Sequence, residues 1–239
     1  MLCYLLELRR RAIYTILFFF LVFLVFFSNA NTLFTMLISP LLAILPDTNF
    51  VIATQITSPV LTPLKLAANL AIVFTTPFAL LQLWLFVAPG LYQQECSHLK
   101  TAICSILLLF CLGILFCFYV ILPMMFQFFA KATPSGVRFM PDISNTVDFI
   151  TRMLILFGLC FQIPIIGFTL VRMNWVKLAV LKKIRPYIIV TSFVIGMLVT
   201  PDIFSQIILA IPLCLLYEVG IILATLGLGR ARTYTPRHH

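Results

Sequence analysis

Long segments without charged residues are the strongest constraint in this sequence. No Asp, Glu, Lys or Arg occurs in residues 66–94 or in residues 101–130. A helix that crosses the hydrocarbon core of a bilayer needs about 20 consecutive, mostly apolar residues, and both segments are longer than that. In lipid, helices and closed barrels alone satisfy their own backbone hydrogen bonds, and continuous apolar runs of this length are typical of helices. The sequence therefore predicts an all-α integral membrane protein.

The composition agrees with that class and argues against a nucleic-acid partner. The 239 residues are 62% hydrophobic and 10% charged, with a mean hydropathy of +1.14, whereas soluble domains are about 25% charged. The net charge is +9. Because the basic residues lie in short segments between apolar runs, they are typical of membrane topology rather than of a basic soluble domain. We therefore expect lipid as the main solvent and no nucleic-acid binding.

Charged residues divide the chain into six predicted spans within a single domain, residues 1–239. The spans are expected at about residues 12–30, 66–89, 102–125, 152–172, 186–200 and 204–224. The segment between Arg185 and Asp202 is short, since a helix of that length rises about 24 Å, less than the roughly 30 Å hydrocarbon core. We therefore expect two short final helices, joined at Thr200-Pro201-Asp202.

Prolines lie inside four of the predicted spans: Pro77, Pro123, Pro164 and Pro212. Proline removes a backbone donor and usually kinks a helix. Several kinked helices are expected to form a concave bundle rather than a straight one.

The distribution of Lys and Arg predicts that both termini lie in the cytoplasm. With the N-terminus inside, the cytoplasmic segments hold Arg9, Arg10, Arg11, Lys100, Arg172, Lys177, Lys182, Lys183, Arg185, Arg230, Arg232 and Arg237. The outer segments hold Lys65, Lys131, Arg138 and Arg152. This bias follows the positive-inside rule, and an even number of spans is needed to return the C-terminus to the same side.

Two acidic residues fall on the predicted cytoplasmic face. Glu7 lies three and four residues before Arg10 and Arg11, so the three side chains share a helix face. One interpretation is a local salt bridge of little energetic value, and the other is a carboxylate offered to a cationic partner. Glu95 is either a solvated residue beside an aromatic belt or the second carboxylate of a pair. Such a pair suits a ligand with two guanidinium groups, because pairing between Arg and carboxylate is bidentate and directional.

Polar residues within the last predicted spans also allow two interpretations. Gln162, Gln206 and Glu218 either bond within the bundle or contact a partner helix, because a buried polar side chain in lipid needs a hydrogen-bond partner. Glu218 also lies close enough to the inner surface to reach the interface. Asp202 is expected to cap the helix that begins at Ile203.

Nothing in the sequence indicates catalysis or a cofactor. The seven cysteines form no C-x-x-C, there is no H-E-x-x-H, and no nucleophile–base pair stands out. We expect no enzyme activity, no metal and no cofactor. The alternative function is a small-solute secondary transporter or channel. That class needs ionisable residues at mid-membrane, where Gln162 is the main polar side chain here.

Several different short motifs are distributed along the chain, from the first residues to the last spans. They include Leu6-Glu7-Leu8-Arg9-Arg10-Arg11, Ser39-Pro40-Leu41, Ile56-Thr57-Ser58-Pro59, Trp84-Leu85-Phe86-Val87-Ala88-Pro89, Lys182-Lys183-Ile184-Arg185-Pro186-Tyr187 and Thr200-Pro201-Asp202. Together they resemble the TatC family, the signal-recognising core subunit of the twin-arginine protein translocase. The resemblance implies a concave, glove-like bundle of six helices in an energised membrane, by default the bacterial inner membrane rather than an organellar one.

The resemblance also implies partners: the twin-arginine signal peptides of folded proteins, single-helix TatA- and TatB-like subunits, and further copies of the chain in a receptor complex. Transport in the family is driven by the protonmotive force.

Functional positions of the family map onto this sequence. The signal-binding surface corresponds to Glu7, Glu95, Arg9, Arg11 and Phe86. The contact with partner helices corresponds to Gln162, Met197, Thr200 and Gln206, and the outer face to Pro40 and Asp202. Relatives often carry glutamate where this chain has Gln162, so a hydrogen bond to a partner helix is expected there rather than proton transfer.

Overall fold

The computed structural model describes residues 2–42, 56–87, 96–133, 140–172, 176–200 and 202–232. These residues are almost entirely helical. In chain order the helices are α1 (Leu2–Ser28), α2 (Ala30–Leu42), α3 (Ser58–Val87), α4 (Cys96–Phe116), α5 (Leu122–Ala132), α6 (Ile143–Cys160), α7 (Ile163–Arg172), α8 (Leu178–Val199) and α9 (Ile203–Arg232). A five-residue π-helical stretch, Cys117–Ile121, joins α4 to α5.

Five helical segments are long and apolar enough to cross a membrane. They are Leu6–Ser28, Leu61–Leu83, Cys104–Ala132, Ile143–Val171 and Ile203–Thr225. The predicted class, an all-α integral membrane protein, is confirmed. The remaining predicted span falls within α8, whose first two turns carry Lys182, Lys183 and Arg185. The count of six spans and the direction of the termini stay predictions.

A short helix lies between the first two predicted spans. The chain turns at Asn29, whose amide donates to the carbonyl of Phe26 at 3.2 Å, and α2 begins directly afterwards. Pro40 therefore lies in a helix. With 13 residues, α2 is about 20 Å long at 1.5 Å per residue, too short to cross the bilayer.

Helical geometry changes beside two of the four prolines in the predicted spans. The π-helical stretch ends just before Pro123, which occupies the start of α5. A break at Phe161–Gln162 precedes Pro164, the second residue of α7. Proline is tolerated in the first helical turn because its missing N–H has no acceptor there. Helices α3 and α9 continue through Pro77 and Pro212.

The final helices are longer than their apolar segments. Helix α8 begins at Leu178 rather than near residue 186, and α9 extends to Arg232. The added turns contain Lys182, Lys183 and Arg185, which are all exposed. Basic side chains have good helix propensity, so the helices continue past the charges that mark the limits of the spans.

The chain forms two compact units, Met1–Phe157 and Gly158–His239. In the first unit α1 runs antiparallel to α3, and two aromatic contacts join them. The rings of Phe18 and Phe78 stack with centroids 4.6 Å apart, and Phe26 meets Phe74 edge-on at 5.0 Å. Such pairs each contribute about 0.5–1.5 kcal/mol beyond their area of burial.

The second unit packs α7 and α8 against α9 around a buried cluster of Val171, Leu181, Ile221 and Ala224. Two glycines allow the helices to approach closely. A Cβ added to Gly196 would lie 3.3 Å from the Cα of Gln206, and one added to Gly220 would lie 3.0 Å from the Cα of Pro164.

We predict that Gly220→Ala destabilises the protein by about 1–3 kcal/mol, because its methyl group meets rigid backbone and overpacks the contact between α7 and α9. Thermal unfolding in detergent measures this as a lower Tm. Gly167→Ala is the matched control, since its Cβ would lie 3.6 Å from Cδ2 of Leu181, an ordinary contact, and alanine favours helix. Equal Tm values for the two variants would contradict the close approach at Gly220.

Candidate signal-binding surface

An ion pair at the start of α1 contains the first predicted site residue. Nη2 and Nε of Arg11 both donate to Oε1 of Glu7, at 2.5 and 3.2 Å. The two residues are one helical turn apart, which places them on the same face. The Glu7 side chain is 40% exposed and the Arg11 side chain 19% exposed. The carboxylate is thus held in place while part of it stays open to a ligand.

Arg11 also fixes α1 to α3. Its Nη1 donates to the carbonyl oxygen of Gln82 at 3.1 Å, across 71 residues of sequence. Gln82 lies close to the end of α3, which is Val87. One guanidinium therefore orients the Glu7 carboxylate and ties the beginning of α1 to the last turns of α3.

The neighbouring arginines behave differently. Arg10 turns to Tyr14, one turn further along α1, with Nε donating to the hydroxyl at 3.0 Å and the guanidinium 5.5 Å from the ring centroid. Arg9 is exposed. The sequence allowed either of two arginines to pair with Glu7. Among the described residues, Arg11 is the one that donates hydrogen bonds to it.

The structure describes only part of the remaining residues of this predicted surface. Phe86 is the second-last residue of α3, and its side chain is outside the described part. Glu95 is also outside the described residues, and it directly precedes Cys96, the first residue of α4.

The turn between α8 and α9 brings together three of the four predicted partner-contact residues. Nε2 of Gln206 donates to the carbonyl oxygen of Thr200 at 3.3 Å, and Oγ1 of Thr200 donates to the carbonyl oxygen of Gly196 at 3.2 Å. Thr200 is 2% exposed, whereas Met197 is 70% exposed. Met197 is thus the most exposed side chain of this group.

Asp202 caps α9, as the sequence predicted. Its Oδ2 accepts the backbone N–H of Ser205 at 2.8 Å, and α9 begins at the next residue, Ile203. A carboxylate in this position satisfies one of the free N–H groups of the first turn and opposes the positive end of the helix dipole.

Gln162 lies apart from that group. It is 2% exposed, in the break between α6 and α7, and its backbone accepts the N–H of Ile166 at 3.0 Å. Pro164, two residues on, contacts Gly220 of α9. Gly220 is about 21 Å along the helix from Gln206 at 1.5 Å per residue, so Gln162 and Gln206 cannot serve one small site.

Polar contacts at two places between helices were not anticipated from the sequence. Asp148 of α6 accepts Nδ2 of Asn69 at 3.0 Å and pairs with Nζ of Lys65 at 3.6 Å. Arg185 of α8 pairs with Glu218 of α9 at 2.7 Å. Lys65 and Asn69 are spaced by one helical turn, which indicates a shared face, but no sequence signal identifies the helix that receives them.

No group of three metal-ligating side chains occurs among the residues that the structure describes. At the start of α1, the Glu7 carboxylate is chemically suited to bind a cation. Arg11 holds this carboxylate and is itself bonded to the backbone of α3.

The five long apolar helices define a multi-pass membrane protein. A family model described as Sec-independent protein translocase protein (TatC) matches residues 3–212. The chain belongs to the TatC family and is a component of Sec-independent protein transport.

Relatives in bacteria are similar in sequence to this chain over nearly its full length. The TatC protein of Haemophilus influenzae is 40% identical over 225 residues, which cover 92% of this chain and 87% of the relative. The Escherichia coli K12 protein is 36% identical over 230 residues, covering 96% and 89%.

A crystal structure of the twin arginine translocase receptor TatC superimposes with a TM-score of 0.83 at 31% identity, covering 94% of this chain and 99% of the other. A second crystal structure, in the detergent DDM, gives a TM-score of 0.84 at 30% identity.

We predict that Arg11→Ala lowers stability by about 1–2 kcal/mol, because partly shielded charge-assisted hydrogen bonds to Glu7 and Gln82 are lost together. Thermal unfolding in detergent measures the effect. Arg9→Ala removes a neighbouring, exposed arginine and is expected to leave the Tm unchanged. If both variants unfold at the same temperature, the link from α1 to α3 does not contribute to stability.

Proposed function

We propose that this chain is the receptor subunit that binds twin-arginine signal peptides of folded proteins at the cytoplasmic face of a bacterial inner membrane. The supporting observation is the Glu7 carboxylate, which is 40% exposed and held by Arg11. Within the described residues, hydrogen bonds to this carboxylate involve Oε1. Oε2 is the oxygen offered to an incoming guanidinium.

The pairing with Arg11 makes the carboxylate a suitable receptor group. A free glutamate would lose rotamer freedom on binding, whereas Glu7 is already held in one geometry. Arg11 is itself tied to the carbonyl of Gln82, so it stays in place when a second guanidinium arrives. Each charge-assisted pair contributes about 1.5–3 kcal/mol where water is partly excluded.

A ligand with two arginines needs a second acidic residue, and we assign this role to Glu95. Helix α3 carries Gln82 near its end, beside Arg11, and the chain reaches Glu95 eight residues after Val87. The adjacent α3 and α4 contact each other. Glu95 directly precedes Cys96, the first residue of α4, and we propose it as the second carboxylate.

The partner subunits are proposed to dock at the turn between α8 and α9. Met197 is 70% exposed there, and Leu198 and Ile203 are 79% and 71% exposed. These side chains suit an apolar single helix of the TatA or TatB type. Transport driven by the protonmotive force, self-association in a receptor complex and the absence of enzyme activity complete the proposal.

The alternative, a small-solute transporter, has less support. Such proteins place ionisable side chains along a mid-membrane path. In the described part of the chain, the buried polar residues are threonines, serines and Gln162, with no acidic or basic side chain among them.

We predict that Glu7→Gln combined with Glu95→Gln reduces site-specific crosslinking of a twin-arginine peptide at least tenfold, since 1.4 kcal/mol corresponds to a factor of ten. Crosslinking is measured in membrane vesicles that contain the full chain. Glu218→Gln is the matched control, because Glu218 is 43% exposed and also pairs with an arginine, Arg185, at 2.7 Å.

A double variant that crosslinks at the wild-type level would refute the proposed binding role. So would an equal loss in the Glu218→Gln control, because the effect would then reflect charge in general rather than these two carboxylates.

A further inference from the structure

A groove runs between α8 and α9 in the second unit. It encloses about 360 Å³, and its walls include Ile189 and Phe193 from α8 and Ile211 and Leu215 from α9. These four side chains are between 41% and 61% exposed. The groove is therefore apolar along its length and open at its side.

One end of the groove is charged. Arg185 and Glu218 line it there and pair with each other at 2.7 Å. Tyr187 is 70% exposed two residues after Arg185, and tyrosine is enriched where membranes meet water. The groove thus has the polarity of a membrane lipid, with one polar end and an apolar body.

A free cation lies in line with the groove. Lys182 is three residues before Arg185, and Ile189 and Phe193 follow Arg185 at intervals of four, so all four share one face of α8. Lys182 is exposed and has no acidic partner among the described residues. Arg185 is already neutralised by Glu218, so Lys182 provides an unmatched positive charge at the polar end.

The polarity of the groove favours a lipid as its occupant. A phospholipid joins an apolar chain to a charged headgroup, and these match the apolar walls and the charged end of the groove.

We infer that this groove binds one acyl chain of an acidic phospholipid, whose phosphate lies against Lys182 and Arg185. Lys182 and Arg185 lie one turn apart in the first turns of α8, and Arg185 is the one of the two that pairs with Glu218. Basic clusters next to a membrane span attract anionic headgroups. The inference concerns α8 and α9 alone and does not depend on signal-peptide binding.

The test titrates the full chain in detergent with phosphatidylglycerol or phosphatidylcholine of identical acyl chains, and counts bound lipid by native mass spectrometry. Phosphatidylglycerol is expected to be retained more tightly. Lys182→Gln should lower its affinity about fivefold, the effect of one cation near an anionic headgroup. Lys183→Gln is the matched control, because one residue along an α-helix is about 100° around its axis.

Equal losses in the two lysine variants would overturn the inference, since they would indicate diffuse attraction rather than a site. Equal retention of the two lipids would also overturn it, because the headgroup would then have no role.

A second pair of variants tests the apolar part. Ile211→Trp should fill the groove and reduce retention of phosphatidylglycerol several-fold, while leaving every charge in place. Leu108→Trp is the control, since Leu108 is 55% exposed, close to the 56% of Ile211, but lies on α4. Full retention by the Ile211→Trp variant would overturn the inference.

Discussion

Backbone hydrogen bonds must be satisfied within the chain wherever water is absent, and this constraint explains the distribution of polar side chains. Helices satisfy their own backbone groups, so the apolar segments fold as helices and leave few polar groups to place. The described charged side chains that meet across helices are paired, as in Lys65 with Asp148 near the starts of α3 and α6, and Arg185 with Glu218 between α8 and α9. Interiors are packed instead by aromatic rings and by glycines that let helices approach.

Within this arrangement Arg11 has two tasks. Its guanidinium holds the Glu7 carboxylate on one side and the end of α3 on the other. The structural interpretation of Glu7, a local salt bridge, and the functional one, a receptor carboxylate, are therefore compatible. The salt bridge presents the carboxylate in a fixed position, and exposure of the Glu7 side chain leaves it accessible. The proposed recognition of a cationic segment would then require little rearrangement of this chain.

The sequence predicted the class of fold because long uncharged segments have few alternatives. It also predicted the cap at Asp202, since local spacing determines a cap. The extension of α8 through Lys182 and Arg185 was missed because charge marks the limit of a span and not the end of a helix. The short helix α2 was missed because it is too short to span a membrane and contains Pro40, which usually interrupts a helix. The pairing of Lys65 and Asn69 with Asp148 was missed because contacts between distant helices depend on packing. In the proposed signal-binding surface, sequence spacing predicted that Glu7 and Arg11 could pair. It did not predict the hydrogen bond from Arg11 to Gln82.

In the proposed function, Glu7 receives an arginine of the signal peptide directly. A double-mutant cycle tests it, using binding affinities of the wild-type chain and the Glu7→Gln variant for a twin-arginine peptide and for peptides with either arginine replaced by glutamine. Direct contact predicts a coupling energy of at least about 1 kcal/mol with one of the two arginines, within the range found for contacting residues. A coupling energy near zero with both arginines would contradict the claim.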